Sequence, residues 1–486
     1  MTAATWGDIV FSDQADRAVL SRAVKRGTLR RLATGIYTGA IHGDPTEIAR
    51  RHWREILAHE LPGAVIADRS ARTGRPDDDG ILTVLHARRR PLDVAGLRIL
   101  PRRGRAMDAG VVDLPDGTRM GTIARGLLDN LAATGERYLT RAEVERWLGD
   151  LLADHGEGRL NTIRDEARAL ALVTGRRAAF DRLDRIISAA LATGVIGDVA
   201  TPALRARASG QAYDDRRAHA FEALVAKLER LPPEPLTDLP IDAPRRRLLP
   251  FYEAYFSNFI EGTEFSIEEA AEIVFDGHIP RTRPADAQDV MGTYRLVADQ
   301  REMRRIPIDG DAFIELLLER HGQMLAARPE ARPGRLKDRA NRAGSTTFVA
   351  PELVEGTLRV GHAIGRPLID PFARAVYVMF LVTEVHPFTD GNGRIARIHM
   401  NAELVSTDMV RIVIPTVYRE NYLSALKAAT HAASFDPLSA MLRFAQRYTA
   451  RIDFSTRPVA EDLLTQTHAF RDPRDAEDRG IRLVLP

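Results

Sequence analysis

The residue types best suited to chemistry crowd into residues 386–397: His386, Asp390, Gly391, Asn392, Gly393, Arg394 and Arg397. A histidine, with an ordinary pKa of about 6.5, can take a proton at neutral pH. Asp390 offers a carboxylate, the ligand a hard cation prefers. Two glycines around Asn392 allow positive φ and let a ligand approach backbone N–H groups. Arg394 and Arg397 are three residues apart and share a face at the start of a candidate helix, whose first N–H groups and dipole favour an anion. A base, a carboxylate, a backbone anion cradle and two guanidiniums are the parts phosphoryl chemistry uses. Singly each is common: a His before Pro is usually structural, and a Gly-Asn-Gly is usually a turn. Their conjunction in one short segment is what points to a site.

The element that must deliver His386 begins at Asp370-Pro371, an N-cap followed by proline at the first helical position. Residues 372–382 are apolar on nearly every face, the pattern of a helix central to a core. Proline at 387 pushes His386 out of the α region and ends that helix. Candidate helices over 246–260, 266–275, 285–304, 311–325, 370–386, 392–406 and 419–431 make this part of the chain mainly α.

At 486 residues the chain is long enough for two to four domains. Hydrophobic residues at 44% and charged residues at 28% are ordinary for a globular protein that buries a core. Cysteine is absent, which excludes disulfides, thiolate metal sites and a cysteine nucleophile. No apolar run reaches membrane-spanning length, and the first residues lack a secretory pattern. The expectation is a cytoplasmic protein without membrane contact. Net charge is +2, but residues 1–110 carry 19 Lys and Arg against 13 Asp and Glu. A basic head hints at nucleic acid.

Residues 1–45 read as a helix capped by Ser12, a glycine at 27 and a basic hairpin, the layout of a winged helix. Residues 46–150 mix helix and strand, with Glu47–His59 helical and strands at Ile81–Leu85 and Leu97–Leu100. Residues 151–230 read as packed helices. The prolines of Leu231-Pro232-Pro233-Glu234-Pro235 stop helix and strand, so 231–245 is read as a linker. Residues 246–453 form the main helical domain, and the charged segment 454–486 reads as a partly disordered tail.

The stretch His386–Arg397 resembles the Fic signature HPFx(D/E)GNGRxxR at every fixed position. The resemblance covers about residues 245–450. It implies an all-helical Fic core with a small β-hairpin flap, and AMP transfer from ATP to a Ser, Thr or Tyr hydroxyl of a target protein. On that resemblance His386 is the general base, Asp390 holds Mg²⁺, and Gly391, Asn392 and Gly393 form the anion hole. Arg394 contacts phosphate oxygens and Arg397 the γ-phosphate, while Phe388 packs into the core. Arg419–Leu426 resembles the family's R-x-x-Y-x-x-x-L helix, which places Tyr422 in the nucleotide pocket, as Asn401 is placed one turn beyond Arg397. Ser345, Thr346, Thr347 and Phe348 fall where the flap lies, whose edge pairs with the target strand. Dimers are common in the family.

Ser257-Asn258-Phe259-Ile260-Glu261-Gly262 resembles the family's inhibitory motif, (S/T)xxxE(G/N). It implies that Glu261 pairs with Arg397 and removes that arginine from ATP, with Ser257 and Gly262 shaping the motif. The head, Leu20 to Tyr37, resembles the winged-helix start of AbiEi-type antitoxins. That resemblance places Ser21, Arg22 and Lys25 in the major groove and Arg30 and Arg31 on DNA phosphates. Two other readings stay open: an ATP-sensing DNA-binding regulator or antitoxin-like protein, and a Fic enzyme that uses another nucleotide or removes AMP.

Overall fold

The computed structural model describes residues 6–238 and 243–486, so residues 239–242 of the expected linker lie outside the described residues. The chain forms two compact units, Met1–Gly210 and Gln211–Pro486.

In the first unit, helix Arg17–Lys25 is capped by Asp16, whose Oδ1 accepts from Ala18 N at 2.7 Å. Ser12 was the expected cap; Asp16 is the acidic side chain directly before the first turn. Strands Arg30–Ala33 and Ile36–Thr38 pair antiparallel, and Val10–Phe11 adds to the second of them. The segment 47–59 is not one helix. It breaks at His52 into Pro45–Arg51 and Trp53–Glu60. A six-stranded mixed sheet follows, in the order 92–94, 97–102, 81–85, 65–66, 119–121, 111–113. Its alternating apolar residues Leu82, Val84 and Ile99 pack with Trp53 and Ile56. Helices Ile123–Ala132, Arg141–Thr174, Arg177–Ala190 and Pro202–Ala208 complete the unit, the second of them kinked at Gly156.

The units divide at Gly210, not at the prolines. Pro232–Asp238 forms neither helix nor strand, apart from a single bridge between Thr237 and Met409, but it docks inside the second unit. Val410 N donates to Leu236 O at 2.8 Å and Asp238 N to Asp408 O at 2.9 Å. The second unit is mainly α. Its centre is the pair Pro371–Val385 and Asn392–Val405, whose side chains are buried almost without exception. Around them lie Asp215–Leu228, Ala243–Ile260, Pro284–Ala298, Gly310–Met324, Val354–Gly365, Arg419–Ala432 and Asp436–Arg451. The expected helix 285–304 is split at Asp299, which caps a second short helix by accepting from Arg301 N and Glu302 N. The helix Val354–Gly365 had no expectation attached. The segment 454–486 is folded, with helices Arg457–Gln466 and Pro473–Asp478 and buried Ala460, Leu464, Ala476 and Leu483. A few apolar residues at helical spacing suffice to dock it despite its charge. No helix among the described residues is long and apolar enough to cross a membrane.

Candidate active site

Helix Pro371–Val385 ends where His386 adopts a left-handed conformation, φ 51° and ψ 59°. This turns the chain sharply and sets the imidazole against the flap. The Phe348 ring lies flat on it, with centroids 3.7 Å apart. His386 Nδ1 lies 3.4 Å from Thr383 O. A carbonyl only accepts, so this contact favours the proton on Nδ1 and leaves Nε2 free as a base. Burial lowers the His386 pKa to about 4, so the ring is neutral at physiological pH.

The loop after His386 is braced from several directions. Phe388 is fully buried, and His321 stacks flat on it at 3.7 Å. Asn392 Oδ1 accepts from Phe388 N and its Nδ2 donates to Phe388 O, both at 2.8 Å. The Asn392 side chain is therefore a loop clamp, and only its backbone N–H is left for an anion. Asn341 Nδ2 donates to Phe388 O at 2.9 Å, and Lys337 Nζ donates to Asn341 Oδ1 at 2.6 Å. His321 Nδ1 accepts from Gly334 N at 3.0 Å, so Nε2 carries the proton it donates to Asp390 O at 3.0 Å. None of His321, Asn341 and Lys337 stands out in the sequence, because single polar residues that bond to backbone leave no periodic signal.

Gly391 caps helix Asn392–Val405 with φ 77°, a conformation a side chain would strain. The helix N-terminus then faces the site with its first N–H groups. Asp390 Oδ1 accepts from Gly391 N at 2.6 Å, and its side chain is half exposed. The second oxygen lies 3.5 Å from Arg394 Nη2, a long, half-exposed pair, so a cation there would share the carboxylate with that arginine and be completed by water and ligand oxygens, the habit of Mg²⁺. Among the described residues no cluster of three or more His, Cys, Asp or Glu could hold a metal by protein groups alone.

Arg394 is buried and fixed. Its Nη1 donates to Asp289 Oδ2 at 2.6 Å, and Arg328 Nε donates to both oxygens of the same carboxylate, at 2.9 and 2.8 Å. Arg397 is fixed by the motif upstream. Its Nε donates to Ser257 Oγ at 2.9 Å, and its Nη2 to Ser257 O at 2.8 Å and to Glu261 Oε1 at 2.7 Å. The Glu261 pair is single-pronged, made through Nη2 alone, while Ser257 holds Nε and shares Nη2. Gly393 explains itself here: a Cβ on it would collide with Glu261 Oε1. The carboxylate lies against the helix N-terminus, where an anion is favoured, and its side chain is 31% exposed. Gly262 ends this helix with φ 87°, and Arg419 Nε donates to Ile260 O at 3.0 Å, capping it.

Tyr422 is buried with the Arg397 guanidinium 5.8 Å from its ring centre. Asn401 is fully buried. Its Nδ2 donates to Glu253 Oε1 at 2.8 Å, and its Oδ1 accepts from Ile412 N at 2.8 Å. A nucleotide that reached it would displace those bonds. The flap starts earlier than the expected Ser345: strands Arg342–Ala343 and Thr346–Thr347 pair across Gly344-Ser345. Of the head residues, Ser21, Arg22, Lys25 and Arg31 are exposed and Arg30 half-buried.

A model of the Fic/DOC family matches residues 311–404. The chain carries a Fic domain. It is 26% identical over 204 residues to the protein adenylyltransferase fic-1 of Caenorhabditis elegans, a match over 41% of this chain and 39% of that protein. It is 25% identical over 240 residues to the protein adenylyltransferase Fic of Nematostella vectensis, a match over 46% of this chain and 54% of that one. The chain therefore spans about 40–55% of the length of these relatives. Among solved structures, Fic-1 from C. elegans is similar with a TM-score of 0.36 at 20% identity, covering 67% of this chain and 95% of that one. A Fic domain containing signaling protein from Bacteroides thetaiotaomicron is similar with a TM-score of 0.36 at 19% identity, covering 50% and 97%. The Fic match includes the flap, His386 and the helix that carries Arg394 and Arg397, while Glu261 lies upstream of it.

Proposed function

We propose that this chain is a protein adenylyltransferase that moves AMP from ATP to a Ser, Thr or Tyr hydroxyl of a target protein, and that Glu261 restrains it at rest. One observation carries the reading. A neutral imidazole with a free Nε2 stands beside a helix N-terminus whose anion position is taken by a carboxylate on Arg397. The names of the relatives agree with it. In the reaction, the target hydroxyl oxygen attacks the α-phosphorus, the bond to the β-phosphate oxygen breaks, and pyrophosphate leaves. His386 Nε2 takes the hydroxyl proton. Backbone N–H groups of Asn392 and Gly393 and the Arg394 guanidinium stabilise the phosphate charge, with Arg394 held in place by Asp289. Mg²⁺ on Asp390 would neutralise phosphate charge and orient the chain of phosphates. Arg397 reaches the γ-phosphate only after Glu261 yields. The partial exposure of that carboxylate leaves it open to displacement.

Incubation with α-labelled ATP, and in parallel with the other nucleoside triphosphates, tests the reading by the mass added to protein. An AMP adduct is the expected result. An adduct from another nucleotide would move the donor, and AMP lost from a pre-modified protein would reverse the direction. The depressed His386 pKa also has a kinetic consequence. Activity is lost only as pH falls through the pKa, because the protonated ring cannot act as base. The acid limb of kcat/KM is expected near pH 4, with a flat profile from about pH 6 to 8. A limb near the ordinary histidine value would mean that burial does not set this group's ionisation.

We assign duplex DNA as a partner of the head, because Ser21, Arg22 and Lys25 lie together on an exposed helix face and Arg31, on the hairpin that follows, is exposed as well. Binding of random duplex DNA by the full chain should weaken steeply with salt, with a log–log slope set by the number of phosphates neutralised. Arg22→Ala with Lys25→Ala should lower that slope by about two. No binding at low salt would remove DNA from the account.

A further inference from the structure

The flap is held by a helix outside the matched Fic region. We propose that Arg217, on helix Asp215–Leu228, is a positioning residue that sets the flap for transfer to protein hydroxyls and leaves the edge at Arg342 as the one open to a target strand. This rests on the adenylyltransferase reading. Phe348 N donates to Asn341 O, and Arg342 and Thr347 are the next pair toward the turn. In an antiparallel ladder hydrogen-bonded and non-hydrogen-bonded pairs alternate, so the N–H and C=O of Arg342 and of Thr347 point away from each other, to the two outer edges. Arg217 Nη2 donates to that outward Thr347 O at 2.9 Å. Its Nη1 is paired with Glu384, a buried carboxylate two residues before His386, which also accepts from Thr430 Oγ1. The neighbouring Thr346 Oγ1 is bonded to His431 Nε2 at 2.8 Å. One guanidinium therefore ties the flap to the end of the helix that delivers the base, and it caps the Thr347 edge as it does so. Arg342 and Ala343 are exposed on the opposite edge, where an extended segment can add as a strand.

The experiment uses the full chain carrying Glu261→Gly, with and without Arg217→Ala or Arg217→Lys. Two readouts are taken: amide exchange across 342–348, and the partition of labelled ATP between automodified protein and free AMP. Water needs no strand pairing, so a general loss of activity lowers both products together, while a misplaced flap lowers protein modification selectively. Arg217→Ala is expected to speed flap exchange about tenfold or more and to lower the ratio of modified protein to free AMP about tenfold. Arg217→Lys should restore part of the ratio, because an ammonium pairs with Glu384 but lacks the fork that also reaches Thr347 O. Unchanged flap exchange overturns the proposal, and so does a ratio unchanged while both products fall. A parent that yields neither product refutes the adenylyltransferase reading instead, and the exchange measurement still decides whether Arg217 holds the flap.

Discussion

Replacing Glu261 with glycine is expected to raise automodification with ATP and Mg²⁺ by at least about tenfold, equivalent to about 1.4 kcal/mol or more of barrier. The expectation follows from where the carboxylate sits. It holds Arg397 Nη2 at 2.7 Å and lies against Gly393, on the position a phosphate would take at the helix N-terminus. Removing it frees both the guanidinium and the anion cradle. Ser257 keeps its two bonds to Arg397, so the arginine remains oriented after the carboxylate is gone. Glutamine at 261 should release only part of the brake, because it keeps the shape and loses the charge. The measurement is the mass of AMP added per chain at saturating ATP. A glycine variant no more active than its parent would remove autoinhibition from the account.

Replacing His386 with alanine in the Glu261→Gly background is expected to lower transfer by about 10²- to 10⁴-fold, the range general base catalysis supplies. The affinity for ATP should change little, because the ring's contacts are with Phe348 and Thr383 and not with the helix N-terminus. Nucleotide binding by calorimetry and adduct formation by mass separate the two effects. Transfer retained in this variant would exclude His386 as the base. The brake and the base sit on different elements and act on different parts of the reaction, so the doubly substituted chain should fall far below Glu261→Gly and stay about tenfold above His386→Ala alone.

The site was legible in the sequence to different depths. His386, Asp390, Gly391–Gly393, Arg394 and Arg397 were readable because one loop and one helix start carry them all, and contiguous residues keep their spacing on folding. The pairing of Glu261 with Arg397 spans 136 positions and was expected only through resemblance. The residues that hold the site in shape were not readable. Asp289 on Arg394, Arg419 on Ile260 O, Asn341 and Lys337 on the loop, and Arg217 on the flap come from distant elements. Each is one polar side chain aimed at backbone or at an opposite charge, and no local pattern marks it. The expected linker and tail went astray for a related reason. Proline and charge report what a segment cannot form by itself, not where it can dock.

Residue order alone settled the chemistry on offer at 386–397 and the apolar helix 371–385 that presents it, since cap, periodicity and proline stop are local properties. Whether that chemistry is available was decided by packing. The Glu261 carboxylate occupies the anion position over Gly393, and burial lowers the pKa of His386. Both effects arise from groups brought together only when the helices close around the loop.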